Sequence, residues 1–382
     1  MGDRKRFTSG RKLDHLRICA EHEVEAGWTG FSDVRLVHCA LPECSMERID
    51  TRARFLGHHF GSPLFIAAMT GGHAETTEVN RRLARTAERF GIGMGVGSQR
   101  AALENPDLAG SFSVVREEAP HAFLVANLGA VQLREHGAEW AERAVEMIDA
   151  NAIAIHLNFL QEAIQPEGDH DASGCLAAIQ ELAGSFRVPV IVKETGGGIS
   201  EEVARRCRGA GVQAIETGGW GGTNWAAIES VRAGETKKAE HRGLIGLGAR
   251  FTEWGIPSVV SLIEVARTGG PVIATGGIRS GLDIAKAVVL GADLCGMGLP
   301  FLAPALEGEE SLAAAVGGFQ DELRAAMFLT GSPNLAELRK ARFCICGRTR
   351  EIAGISEPGN RNRGTQPGGN PAGHPTKHQT FY

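Results

Sequence analysis

Eight short apolar runs, separated by segments of helical periodicity, are the feature that most limits how this chain can fold. The runs cover residues 63–68, 91–96, 122–126, 152–155, 188–192, 212–215, 271–274 and 292–297. Continuous apolar runs suit strands that are covered on both faces, and strands that alternate with helices suit a parallel sheet. Eight such units predict an α/β fold of the (β/α)₈ TIM-barrel type. A doubly wound open sheet is the alternative, because periodicity does not show closure.

The regions that flank this repeat have a different composition. Residues 1–60 predict an N-terminal extension packed on the barrel, with a helix at 11–26 and an extended segment at 34–37. Residues 61–355 predict the barrel with its connecting helices, such as 75–90 and 282–290, and C-terminal helices at 311–328 and 334–341. Residues 356–382 are rich in Gly, Pro and Asn. This tail is predicted to be disordered, because it cannot bury enough apolar surface to offset the entropy of ordering.

Charge and hydropathy exclude several classes of function. The net charge of −5 and the lack of a basic run interleaved with aromatic residues argue against a nucleic-acid binder. No apolar stretch approaches the roughly 20 residues that cross a bilayer, and the first residues lack the apolar centre of a signal peptide. We therefore expect a cytoplasmic protein that binds neither membrane nor nucleic acid. Its 8 cysteines are scattered without a CxxC pair, which predicts free thiols.

Polar residues directly after each apolar run are the site candidates, because active sites of such barrels lie at the carboxyl ends of the strands. Glycines after the seventh and eighth runs, ahead of a helix near Leu282, predict a phosphate cup made of backbone N–H groups at a helix N-terminus. A second glycine-rich turn, which ends at Thr223, strengthens this interpretation. Glycines that only terminate strands are the alternative.

Two further positions suggest chemistry after the fourth and fifth runs. Lys193 can hold an anionic ring system or form a Schiff base, and a buried salt bridge with Glu194 is the alternative. His156 and Asn158 alternate on a strand, so their side chains share a face and can point together into the barrel mouth. A purely structural histidine is the alternative there.

Anion and metal binding are indicated by a third group of residues. Gln161 and Glu162 follow the same run, and a carboxylate beside a diphosphate is the expected partner of Mg²⁺; a solvated surface Glu is the alternative. Donors suited to phosphate oxygens are Arg11, Lys12, Ser98 and Arg100, although the first two can equally be surface charges.

The motifs taken in order resemble the type 2 isopentenyl diphosphate isomerases, which are FMN-containing (β/α)₈ barrels. The resemblance spans about residues 11–350. It is carried by RKLDH from Arg11, AMTGG from Ala68, GSQR from Gly97, ANLGA from Ala126, HLNFLQE from His156, KETGGGIS from Lys193, GGTNW from Gly221, WGIP from Trp254 and TGGIRSGLDIAKAVVLGA from Thr275.

The resemblance implies a role for each matching residue. The residues around FMN would be Ala68, Met69, Thr70, Ser98, Asn127, Lys193, Thr223, Gly277, Arg279, Gly298 and Leu299. The residues that grip the substrate diphosphate would be Arg11, Lys12, Ser98, Arg100, His156 and Asn158, while Gln161 would face the reacting carbons and Glu162 would ligate Mg²⁺. Gln161, Lys193 and His156 would carry the catalytic roles.

The same resemblance implies isomerisation of isopentenyl diphosphate to dimethylallyl diphosphate by reduced FMN, in isoprenoid biosynthesis. NADPH would reduce the flavin, with no net redox change per turnover, and the protein would be a homotetramer or homo-octamer. Two other functions remain open: an FMN-dependent oxidase of 2-hydroxy acids, and a non-catalytic protein that binds flavin or prenyl phosphate. Oxidation of a small carboxylate needs no diphosphate clamp with a Mg²⁺ ligand, which favours the isomerase.

Overall fold

The computed structural model describes the backbone of residues 2–235 and 242–354, and the side chains of residues 12–235 and 243–354. The chain begins with helix α1 (Gly2–Glu21) and strand β1 (Val34–Leu36), followed by the hairpin of β2 (Ala53–Phe55) and β3 (His58–Phe60). The predicted N-terminal helix thus starts earlier and ends earlier than expected. Residues after Glu21 leave the helix and bridge to a turn of the barrel, where Glu25 pairs with Thr223.

Eight parallel strands then form a closed barrel in which each strand pairs with the next in the chain, and the last with the first. They are β4 (Leu64–Ile66), β5 (Gly93–Gly95), β6 (Leu124–Gly129), β7 (Ala152–Leu157), β8 (Val190–Glu194), β9 (Ala214–Glu216), β10 (Val272–Thr275) and β11 (Leu294–Met297). Every one lies within or overlaps a predicted run. The (β/α)₈ prediction is confirmed, and the open-sheet alternative is wrong, because β10 pairs with both β9 and β11 and β11 pairs with β4.

Helices connect the strands and cover the barrel. They are α2 (Thr77–Phe90), α3 (Arg100–Glu104), α4 (Gly110–Glu118), α5 (Ala130–Met147), α6 (Phe159–Ile164), α7 (Cys175–Ser185), α8 (Glu201–Gly209), α9 (Trp225–Glu235), α10 (Arg242–Arg250), α11 (Ser258–Arg267) and α12 (Gly281–Val289). After the barrel come α13 (Leu299–Glu307), α14 (Glu309–Leu329), α15 (Leu335–Leu338), β12 (Phe343–Ile345) and α16 (Gly347–Ile352). The predicted disordered tail, residues 356–382, lies outside the described residues.

The barrel interior is filled by large side chains that face glycines. A Cβ at Gly93 would lie 2.8 Å from Phe65 Cδ2 and 2.9 Å from Phe60 Cε1, so this position of β5 has room only for glycine. Phe55 and Phe60 of the hairpin also contact Phe123, which precedes β6, at ring-centroid distances of 6.1 and 5.5 Å. The hairpin therefore closes the amino end of the barrel and leaves the carboxyl end for the site.

The N-terminal and C-terminal segments hold each other against the barrel. Strands β1 and β12 form an antiparallel pair, and Asp33 Oδ2 accepts the backbone N–H of Thr349 at 2.9 Å. The Lys286 ammonium of α12 donates to the Phe31 carbonyl at 2.8 Å, which ties the extension to the barrel helices. All eight cysteines lie in the described residues as free thiols, as predicted. Among the described helices, none has the length and apolar character of a membrane span.

Candidate active site

One cavity opens at the carboxyl ends of the barrel strands, and helix α1 covers part of its mouth. It is lined by nearly all of the predicted residues: Lys12, Ala68, Met69, Ser98, Arg100, Asn127, His156, Asn158, Gln161, Glu162, Lys193, Thr223, Gly277, Arg279, Gly298 and Leu299. Thr70 is the exception, because it is buried and does not line the cavity. The side chain of Arg11 lies outside the described residues.

Glycine-rich turns after β9 and β10 form one end of the cavity, here called the phosphate end (residues 218–223, 276–279, 298 and 299). A Cβ at Gly222 would lie 2.3 Å from the backbone nitrogen of Gly277, and one at Gly276 would lie 2.2 Å from the Gly219 carbonyl oxygen. Gly277 also has a φ of +65°, which disfavours side chains with a Cβ. The two turns therefore touch through bare backbone at the cavity surface.

The helix that starts at this end differs from the predicted one. The first N–H groups of α12 already have partners, since Gly281 donates to Glu322 Oε2 at 2.5 Å and Asp283 donates to the Ser280 hydroxyl at 3.0 Å. Helix α13 begins instead at the cavity, where Gly298 and Leu299 form part of the wall. The sequence prediction of a cup at the start of the helix near Leu282 is therefore wrong about the helix, although the glycine turns themselves lie where expected.

Lys193 ends strand β8 inside the cavity beside a buried carboxylate. Its ammonium donates to the Glu194 carbonyl at 2.9 Å and lies 3.6 Å from Glu216 Oε1. Burial raises the pKa of the Glu216 carboxyl, and the positive charge of Lys193 opposes that rise. The ion-pair partner is thus Glu216, and the alternative of a salt bridge to the Glu194 carboxylate is wrong.

The Glu194 carboxylate has another set of partners. Its Oε2 accepts the backbone N–H groups of Thr195 and Gly196 at 2.6 Å each, and that of Gly197 as well. Burial raises the pKa of this carboxyl, and the N–H groups oppose the rise. The glycine-rich turn after β8 therefore binds a carboxyl group of its own chain.

His156 is held in a fixed orientation by its neighbour on the barrel wall. The Asn127 side-chain amide donates to the Val96 carbonyl at 2.9 Å, which leaves Asn127 Oδ1 to accept from His156 Nδ1 at 2.8 Å. Because Oδ1 is an acceptor, Nδ1 carries a proton. His156 and Asn158 both line the cavity, as predicted from their alternation.

Gln161 is oriented by a buried carboxylate that the sequence did not single out. Glu229 of α9 accepts from Gln161 Nε2 and from His15 Nε2, both at 2.9 Å, and from Arg232 Nε at 2.6 Å. Burial opposes ionisation, but these hydrogen bonds and the charges of His15 and Arg232 lower the pKa of Glu229 to about 2. Because a carboxylate accepts only, Gln161 must direct its NH₂ group towards Glu229 and its carbonyl oxygen elsewhere.

Glu162 is the centre of the opposite end of the cavity, here called the diphosphate end (Lys12, Arg100, His156, Asn158 and Glu162). Its carboxylate accepts from Asn158 Nδ2 at 2.7 Å, from the backbone N–H of Asp169 at 2.7 Å and from the Gln165 side chain. Arg100 donates to Glu104 at 2.9 Å and to Asp169 at 3.2 Å. Glu162 is buried, so the solvated-surface alternative is wrong.

No group of three or more His, Cys, Asp or Glu side chains among the described residues is arranged to hold a metal ion. A carboxylate has about four lone-pair positions, and Glu162 uses three. Mg²⁺ is commonly held by one or two carboxylates together with substrate phosphates and water. Glu162 therefore fits a metal that arrives with a diphosphate.

Several lining residues carried no recognisable signal in the sequence. They are Leu16, Cys19, Gln132 and Gln165. His15 had a signal, because it follows Arg11 by four residues in RKLDH and so lies on the same face of α1. Trp225 belongs to the GGTNW motif, and Glu216 directly follows the sixth apolar run, where site residues are expected.

Comparisons with known proteins agree with this geometry. The model of the FMN-dependent dehydrogenase family matches residues 8–105 and 116–344. The chain is 67% identical over 356 residues to an isopentenyl-diphosphate delta-isomerase of Methanoregula boonei, covering 93% of this chain and 99% of that protein. The chain belongs to the isopentenyl-diphosphate delta-isomerase family. Relatives with the same name from Methanosarcina mazei and Halobacterium salinarum are 50% and 51% identical, covering 92% and 90% of this chain and 98% and 95% of theirs.

Solved structures show the same fold at low sequence identity. A mandelate oxidase with an FMN adduct matches with a TM-score of 0.60 at 17% identity, covering 86% of this chain and 95% of that one. A lactate oxidase of Pediococcus acidilactici matches with a TM-score of 0.60 at 17% identity, covering 87% of each chain. At this identity the likeness concerns the fold alone. The family match supports FMN as the cofactor, and the predicted family is confirmed.

Two observations on this chain fit a bound flavin. The Thr70 hydroxyl is buried and has no hydrogen-bond partner among the described residues, so it has capacity for a ligand atom. The glycine turns of the phosphate end present backbone without side chains, which is what close approach of a phosphate requires.

Proposed function

We propose that this protein converts isopentenyl diphosphate to dimethylallyl diphosphate with reduced FMN as an acid–base cofactor, in isoprenoid biosynthesis. One observation carries the proposal: a single cavity joins a phosphate end built from glycine turns to a diphosphate end with cations and one carboxylate. A flavin and a diphosphate ester can therefore lie side by side in it.

The residues that would hold FMN lie along one wall. The glycine turns with Thr223, Gly277, Arg279, Gly298 and Leu299 would hold the phosphate, and the ring would lie against Ala68, Met69, Thr70, Ser98, Asn127 and Lys193. Reduced FMN supplies an electron-rich ring that stabilises positive charge on the alkene and exchanges a proton, a chemistry that side chains lack. Lys193 would place a positive charge against the ring, kept in position by Glu216 at 3.6 Å.

The substrate would be held by the opposite wall. Arg11, Lys12, Ser98, Arg100, His156 and Asn158 would bind the diphosphate, and Glu162 would ligate Mg²⁺. His156, whose Nδ1 donates to Asn127, would donate from Nε2 to a phosphate oxygen in its imidazolium form, in which both ring nitrogens carry protons. The fixed Gln161 amide would place its carbonyl oxygen near the alkene, where a dipole favours developing positive charge.

Further features of the proposal rest on the resemblance to the family. NADPH would reduce the flavin once, after which turnover consumes no electrons. The protein would act in the cytoplasm as a homo-oligomer, a tetramer or octamer.

The deciding experiment measures turnover against electron consumption. With bound FMN reduced once under anaerobic conditions, the enzyme should convert many equivalents of isopentenyl diphosphate in the presence of Mg²⁺ while the flavin spectrum stays reduced. Product only in proportion to the NADPH consumed would sink the acid–base mechanism. Reduction of the oxidised flavin by a 2-hydroxy acid, with no turnover of isopentenyl diphosphate, would support the oxidase alternative. Flavin binding without any product would support the non-catalytic alternative.

A further inference from the structure

A segment of the N-terminal extension, residues 24–29, lies directly on the phosphate end of the cavity. The backbone N–H of Asn224 donates to the Val24 carbonyl at 2.8 Å, and that of Val259 donates to the Thr29 carbonyl at 2.9 Å. Glu25 forms a bridge with Thr223 between these two points. The segment is thus joined by backbone hydrogen bonds to the elements that follow β9.

Steric contacts fix this segment tightly. A Cβ at Gly221 would lie 2.5 Å from the Thr29 nitrogen, and one at Gly277 would lie 2.4 Å from Thr29 Cγ2. A Cβ at Gly27 would lie 2.3 Å from the Trp220 ring. Because bare backbone meets the segment on both turns, the position of Glu25 is set by the fold rather than by its own side chain.

The side chain of Glu25 neutralises the cation at this end. Arg279, which lines the cavity, donates through Nη2 to Glu25 Oε1 and through Nη1 to the Ile278 carbonyl at 2.7 Å. Glu25 and Arg279 side chains are 42% and 33% exposed, so the ion pair is weak and open to exchange. The Asp283 carboxylate accepts the backbone N–H of Arg279 at 3.2 Å and lies 4.0 Å from the Lys286 ammonium.

We propose that Glu25 is a stand-in anion for the FMN phosphate: it pairs with Arg279 in the flavin-free protein, and the phosphate displaces it when the cofactor binds. A phosphate monoester carries about −1.5 to −2 charges at neutral pH, more than a carboxylate, and it matches the guanidinium with two parallel hydrogen bonds. The exchange leaves Glu25 as a like charge beside the phosphate. Glu25 therefore sets the affinity for FMN, and this inference rests on the flavin site of the proposed function.

The test compares two flavins that differ only by the phosphate. The flavin-free full chain is titrated with FMN and with riboflavin, and binding is followed by flavin fluorescence. Glu25→Gln keeps the shape and the acceptor but removes the charge, so FMN should bind roughly two- to fivefold more tightly, the range of an exposed ion pair. The affinity for riboflavin should not change. Glu23→Gln, an exposed residue two positions upstream, is the matched control and should alter neither.

A double-mutant cycle with Arg279→Gln tests whether the effect passes through the guanidinium. Arg279→Gln alone should weaken FMN binding, and adding Glu25→Gln to it should then improve binding less than Glu25→Gln does in the wild type, because only the repulsion from the Glu25 charge is left to remove. Unchanged or weaker FMN binding by Glu25→Gln, or an equal shift for riboflavin, would overturn the inference. If the wild-type protein binds FMN and isomerises its substrate but Glu25→Gln leaves the FMN affinity unchanged, only this inference fails and the proposed function stands. A wild-type protein that binds no FMN defeats the proposed function as well.

Discussion

The two ends of the cavity are built from different parts of the chain. At the phosphate end, Gly222 and Gly277 meet through backbone, and a Cβ on the first would lie 2.3 Å from the nitrogen of the second. At the diphosphate end, Arg100, Asp169 and Glu162 are linked through side-chain and backbone hydrogen bonds. The phosphate end is thus shaped mainly by steric fit, with the exposed Glu25–Arg279 ion pair at its edge, and the diphosphate end is shaped by charge.

This difference predicts how each end responds to change. Closely packed backbone has no alternative arrangement, so added volume at the phosphate end should be costly and insensitive to salt. Partly exposed charges are screened, so the diphosphate end should respond in a graded way to charge, metal and ionic strength.

Gly222→Ala should have the largest effect, because its Cβ would collide with backbone that cannot move aside. We expect a loss of stability of about 1–3 kcal/mol or more, with no measurable FMN binding at micromolar concentrations, whatever the salt. Thermal melting and flavin titration measure the two effects. Gly184→Ala in α7, where nothing lies within 4 Å of the new Cβ, is the matched control and should bind FMN normally. FMN binding by Gly222→Ala would show that the turns can separate.

Glu162→Gln should come next and affect only the other end. The amide keeps the shape but lacks the charge that attracts Mg²⁺, so we expect kcat/KM to fall by roughly 100-fold, with higher Mg²⁺ needed for half-maximal rate. FMN affinity should stay the same. Glu181→Gln, an exposed residue on α7, is the control. Unchanged Mg²⁺ dependence in the Glu162 variant would remove this residue from the metal site.

Glu229→Gln tests the carboxylate that orients Gln161 between the two ends. Without an obligatory acceptor, the Gln161 amide can turn over, so kcat should fall by about tenfold through lost orientation while KM changes little. A rise in KM as large as the fall in kcat would contradict an orienting role.

Glu229 also leads to a prediction of how the stability of the fold depends on pH. Its pKa falls from an ordinary 4.5 to about 2 on folding, so the carboxylate stabilises the fold above pH 4.5, and this stabilisation is lost as the pH falls towards 2. The gap in melting temperature between wild type and Glu229→Gln should therefore be widest above pH 4.5 and close below it. A gap that is constant with pH would show that ionisation of Glu229 does not matter.

The barrel was predictable because its strands are defined by local composition. Most runs are apolar on both faces, and several, such as 188–192 before Lys193, end where a polar residue meets the cavity. The positions of His156, Asn158 and Lys193 in the cavity followed from the same rule, because carboxyl ends of parallel strands meet on one side. Their roles stay predictions.

The partners of these residues were not predictable from the sequence. Gln161 and Glu229 are separated by 68 positions, and Lys193 pairs with Glu216 instead of its neighbour, since β8 and β9 lie in register there. The capped start of α12 also escaped prediction, because Glu322 comes from α14, far along the chain. Contacts across the barrel depend on closure and register, which composition does not encode.

Asp169→Asn should produce the smallest effect. It should lower KM but raise the Mg²⁺ concentration that the enzyme needs. Asp169 accepts from Arg100 and from Gln132, both at 3.2 Å, while its backbone N–H holds Glu162. The amide removes one negative charge but keeps the backbone contact, and Arg100 remains held by Glu104 at 2.9 Å. Less repulsion of the diphosphate should lower KM by about twofold at saturating Mg²⁺. Weaker attraction of the cation should raise the Mg²⁺ concentration needed for half-maximal rate, also by about twofold, as for partly exposed charges.

Steady-state kinetics at several Mg²⁺ concentrations measures both shifts, and raised salt should make both smaller. A KM that rises instead, with Mg²⁺ dependence unchanged, would show that Asp169 serves to position Arg100, and the diphosphate end would then depend on fit as the phosphate end does.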